Sequence, residues 1–108
     1  MKKLFITTIA LTSLISSAFA ANSEYLIQIK DHKFQPEKLE IKAGSDFVLV
    51  IENLDKTLEE FESDDLKKEK LVRAGKKVSI PVGALKAGEY KFYGDFHQKT
   101  AQGKIIVK

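Results

Sequence analysis

Apolar residues in this chain recur at every second position. Tyr25, Ile27 and Ile29 alternate with Leu26, Gln28 and Lys30; Leu39 and Ile41 alternate with Glu40 and Lys42; Val78, Ile80 and Val82 alternate with Ser79 and Pro81. Successive side chains on a strand point to opposite faces, so this period belongs to half-buried strands. Phe47-Val-Leu-Val-Ile51 is apolar on both faces and reads as a more central strand. Tyr90 and Phe92, then Ile105 and Val107, continue the inward series. Between the runs, Gly44, Gly75 and Gly88 each close a turn where positive φ is expected. Roughly six to eight short strands with no long helix predict an all-β protein, an antiparallel β-sandwich.

The first twenty residues do not belong to this pattern. Lys2 and Lys3 precede an apolar run from Leu4 to Ile15, and the stretch ends Ala18-Phe19-Ala20. That is the layout of a secretory signal peptide, predicted to be cleaved after Ala20 and to send residues 21–108 to the periplasm as one small domain. Of 18 basic side chains, Lys2 and Lys3 leave with the leader, so 16 face 15 acids in the mature chain. The basic balance of the precursor therefore belongs mostly to the leader, and no basic stripe with interleaved aromatics suggests nucleic acid. There is no cysteine. Stability must come from the core, and thiolate is excluded both as nucleophile and as metal ligand.

Residues 55–70 resist assignment. They hold seven acids, with Leu58, Phe61 and Leu66 as the apolar anchors. The segment fits one ragged helical face, or an extended run in which Glu60 and Glu62 share a face around an inward Phe61. The acid cluster Glu59, Glu60, Glu62, Asp64 and Asp65 is partly offset by its neighbours Lys67, Lys68 and Lys70, as on a solvated surface. The two histidines, His32 and His97, lie in turns, and His97 follows the Tyr90 to Phe92 strand close to Asp95. No nucleophile elbow, P-loop or dinucleotide fingerprint announces catalysis.

From residue 24 to 108 the chain resembles the cupredoxin family. Asn53-Leu-Asp55 looks like the segment leading to the first histidine ligand of that family. Tyr90-Lys-Phe92, Asp95-Phe-His97 and Gln102-Gly103-Lys-Ile105 look like its ligand loop. The resemblance implies a cupredoxin-like Greek-key β-sandwich. It places Gly94 where the family has cysteine, Ala101 where it has methionine and Glu60 where it has the first histidine, leaving His97 in place. Without sulfur, a blue-copper centre cannot form. The combination of Asp31-His-Lys-Phe34, Glu59-Glu-Phe-Glu-Ser63, Glu69-Lys-Leu-Val72 and Tyr93-Gly-Asp-Phe-His97 is similar to a narrower group. These are the cysteine-free periplasmic proteins that accompany bacterial iron-permease systems.

The resemblance implies a metal-binding accessory of iron uptake, taking a copper or iron ion. Its implied partners are a copper-binding periplasmic iron protein and an inner-membrane iron permease. Glu60, Glu62 and His97 are the leading ligand candidates, followed by Asp95 and Glu59, then Glu69 and His32. Any catalysis would be iron oxidation assisted by copper. A copper carrier and a metal-free interaction module are the rival readings.

Overall fold

The computed structural model describes residues 23–108. The expected leader and its cleavage point after Ala20 lie outside these residues. Among the described residues nine strands form two sheets. In the first, the order is β2 (Lys33–Gln35), β1 (Ser23–Lys30), β4 (Phe47–Asn53), β7 (Lys77–Val82). In the second it is β3 (Lys38–Ile41), β9 (Gln102–Val107), β8 (Gly88–Gly94), β5 (Glu59–Ser63), β6 (Lys68–Val72). The β-sandwich is as expected, with one correction: it is not wholly antiparallel. The pairs β1–β4 and β3–β9 run parallel, because the chain crosses between sheets and brings non-consecutive strands together. Gly44 and Gly75 take positive φ, 79° and 70°, in the turns assigned to them.

The alternating residues meet between the sheets. Ile27, Ile29, Leu49 and Ile51 face Phe61, Val72, Phe92 and Ile105, all essentially inaccessible to water. Burying each such side chain contributes about 1.5–3 kcal/mol. Phe34, from the short β2, sets its edge against Phe92 at 5.0 Å and against Phe61 at 6.1 Å, while Phe61 and Phe92 stack at 5.3 Å.

Residues 59–72 form the β5–β6 hairpin, which decides between the two readings of the segment 55–70. Extended, Phe61 is fully buried and Val72 joins it; a helix would have buried only a ragged stripe. The hairpin turn is fastened by Ser63, whose hydroxyl donates to Lys91 O at 2.6 Å and accepts from Leu66 N at 3.1 Å. Asn53, also buried, fixes the preceding loop. Its Nδ2 donates to Thr57 O at 2.8 Å and Val72 O at 3.0 Å, and its Oδ1 accepts from Asp55 N at 3.0 Å.

Candidate metal centre

β5 divides the candidate ligands between its two faces. Its alternation buries Glu59, Phe61 and Ser63 and leaves Glu60 and Glu62 on the outer side. Two constellations result.

The inner one is built on Glu59, whose side chain is 2% exposed. His97 Nδ1 donates to Glu59 Oε2 at 2.5 Å, and Oε1 accepts from Phe96 N at 2.9 Å and Glu60 N at 3.0 Å. His97 is delivered by a single 3-10 turn, Asp95–His97, that follows β8. The His32 ring lies flat on it, with centroids 3.6 Å apart and planes 12° from parallel. His32 is held from beneath and beside. Asp55 accepts from Asp31 N at 2.8 Å and His32 N at 3.0 Å, fixing two residues at positive φ, and His32 Nε2 lies 3.2 Å from Thr57 Oγ1.

The outer constellation gathers Glu60, Glu62 and Glu69, with one carboxylate oxygen from each lying within 4.8 Å of the others. Strand pairing sets Glu62 directly opposite Glu69, where like charges repel. The Glu62 carboxyl is pushed up to about 7. Its hydrogen bond with Glu60 is the largest cause, followed by desolvation and the charges of Glu69, Glu60 and Asp95. Tyr93, opposite Glu62 on β8, is raised by desolvation and by Asp64, Glu62, Asp95 and Glu60.

The expected trio of Glu60, Glu62 and His97 is divided between the two constellations. Glu60 and Glu62 share the outer face with Glu69 and the charge of Asp95, whereas His97 sits with Glu59 and His32. Glu59, not Glu60, is the β5 acid that meets His97, because the inward parity of β5 runs through Glu59 and Phe61. That signal was present in the sequence: an inward Phe61 makes Glu59 inward too. Asp55 and Thr57, which hold His32, carried no local pattern that marks them.

Glu59 Oε2 and His97 Nδ1 do not fit one metal ion as they stand. Metal–nitrogen and metal–oxygen bonds of about 2.0–2.2 Å keep two ligands of one ion roughly 3 Å or more apart, and Glu59 Oε2 and His97 Nδ1 are closer than that. Parallel stacked imidazoles also direct their in-plane lone pairs side by side instead of at one point. The outer carboxylates each bring one oxygen within 4.8 Å of the other two, so small side-chain movements would gather them on one ion.

The sequence model of a cupredoxin-like domain matches residues 3–107. An uncharacterised protein of Rickettsia prowazekii (strain Madrid E) is 50% identical over 84 residues, covering 78% of this chain and 67% of its own. Among solved structures, auracyanin A, a blue copper protein of Chloroflexus aurantiacus, superposes with a TM-score of 0.70 at 15% identity, over 82% of this chain and 100% of that one. A purple cupredoxin from Nitrosopumilus maritimus gives 0.60 at 20% identity, over 77% and 98%. The metal-binding domain of the Cu(I)-exporting P-type ATPase of Streptococcus pneumoniae D39 gives 0.67 at 13% identity, over 79% and 84%. At these identities the three structures share the fold.

Proposed function

The chain belongs to the cupredoxin-like domain family, and on that premise we propose that it is an exported metal-binding accessory protein of a bacterial iron-uptake system. It takes a copper or iron ion on the outer face of β5 and β6, through Glu60, Glu62 and Glu69, and has no blue-copper centre. The observation that carries this reading is the convergence of the three glutamates within 4.8 Å. A strand pair that sets Glu62 against Glu69 accepts a repulsion in the ion-free state. A divalent cation converts that repulsion into ligation. Carboxylate oxygens suit iron, manganese and Cu(II) better than Cu(I).

The copper relation is supported by the fold neighbours, two of which are described as a blue copper protein and a Cu(I) domain. The iron-uptake setting is supported by the motifs shared with the cysteine-free group. The partners proposed with it are a copper-binding periplasmic iron protein and an inner-membrane iron permease.

The test is calorimetric titration of the mature domain with Cu(II) and Mn(II), comparing wild type with Glu60→Gln, Glu62→Gln and Glu69→Gln, each checked for folding by circular dichroism. Each variant is expected to bind at least tenfold more weakly. Wild-type affinity in all three would leave the metal-free interaction module as the better account. Copper binding that iron and manganese cannot displace would make the protein a copper carrier.

A further inference from the structure

We infer that the Glu59 carboxylate occupies the centre of the inner constellation and shuts it to metal ions, so that an ion enters there only when residue 59 is changed. This stands apart from the outer glutamates and holds whether or not they bind an ion.

The space is already filled. A Cβ built on Gly94 would lie 2.7 Å from Glu59 Cδ, 2.8 Å from Glu59 Oε2 and 2.7 Å from the Ala101 Cβ. Residues 94 and 101 thus leave room for the carboxyl group by lacking side chains of any size. Residue 97 hydrogen-bonds it. The carboxylate accepts from His97 Nδ1, Phe96 N and Glu60 N, so it joins the 3-10 turn to β5. That cross-tie is the one an ion ligated from both segments would make. An ion between Oε2 and Nδ1 would have to break the bond that joins them and push the two atoms apart, against a carboxylate held at Oε1 by two amides and a His97 ring stacked on the His32 ring that Asp55 and Thr57 hold in place.

It follows that Glu59 and Gly94 form a coupled pair of volumes. A larger residue at 94 needs a different residue at 59 and a shift of Ala101.

The experiment titrates Cu(II) into wild type and His97→Asn with electron paramagnetic resonance as the readout. It then repeats the titration on Gly94→Cys and on Glu59→His with Gly94→Cys, reading visible absorption and Tm. The expected result is no nitrogen hyperfine structure that depends on His97, with any copper affinity of His97→Asn within twofold of wild type. Gly94→Cys alone should show a lowered Tm and no thiolate charge-transfer band. The double variant should gain that band, which arises from a Cu(II)–thiolate bond. A tenfold loss of Cu(II) affinity in His97→Asn would overturn the inference. So would Gly94→Cys folding with the wild-type Tm and turning blue, or a folded double variant that takes no copper. Should the double variant fail to fold, the His97→Asn comparison decides alone. Loss of binding in the outer Gln variants bears on the outer reading only, so the two fail separately.

Discussion

Replacing Glu59 by alanine should cost far more than an acidic residue on a β-strand ordinarily would. The side chain is buried and accepts three hydrogen bonds, at 2.5, 2.9 and 3.0 Å. Alanine removes all of them and leaves the Phe96 and Glu60 amides without their carboxylate partner. Both amides are part-buried, with Phe96 48% exposed, so each falls toward the low end of the about 1–3 kcal/mol that a buried unpaired donor costs, and losing the packing of two methylenes adds about 0.8 kcal/mol each. Removing a charge from a dry site returns part of this, since a buried ion carries its own desolvation cost. A net loss of about 3 kcal/mol is expected, which in a domain of this size lowers Tm by roughly 12–24 °C. Glu59→Gln keeps an acceptor for the two amides and gives up the charged bond to His97, so it should lose about 1.5–3 kcal/mol. Urea denaturation followed by circular dichroism measures both. If Glu59→Ala unfolds within about 0.5 kcal/mol of wild type, the range of an ordinary surface change, the keystone role given to Glu59 is wrong.

Glu62 makes stability depend on pH in a defined direction. Its carboxyl rises from 4.5 to about 7 on folding, so the folded state holds that proton more tightly. The resulting stabilisation is present below pH 4.5 and is lost as pH climbs through 7. The urea midpoint of wild type should therefore fall across that window relative to that of Glu62→Gln, and parallel profiles would contradict it. Gly103→Ala should destabilise by about 1–3 kcal/mol through overpacking, because its Cβ would lie 2.5 Å from Phe92 Cζ and 2.8 Å from the Glu37 carbonyl oxygen. Thermal melts reaching the wild-type Tm would show that the Phe92 ring gives way.

The strands of the sandwich were legible because burial of one face writes a period of two into the sequence, as in Tyr25, Ile27 and Ile29. The parallel pairing of β1 with β4 was not, since nothing local records which strands meet across a crossover. β5 and β6 were undecided for a different reason. A short hairpin with one buried phenylalanine has too few apolar positions to distinguish period two from about 3.6. The site was half legible. Six of the seven candidates lie in one or other constellation and Asp95 reaches the outer one only through its charge, yet assigning them required the parity of a single strand. Counting from Phe61 gives it; aligning Glu60 with a histidine position does not. The stacking of His32 on His97 depends on Asp55 gripping two backbone amides 23 and 24 residues away, which no spacing rule encodes.

The buried Asn53 side chain sets a limit on insertions and deletions. By bonding Thr57 O, Val72 O and Asp55 N at once, it fixes how many residues lie between the end of β4 and the start of β5. One residue more or fewer in that loop breaks this set of bonds, and wherever the strand follows the loop, β5 slides by one position and exchanges its faces. Glu60 and Glu62 would then be driven toward the core and Phe61 into water, with Glu59 pulled from its three donors. A strand carrying different chemistry on each side can accept new side chains one at a time, but its connecting loop cannot change length without disabling both sides together.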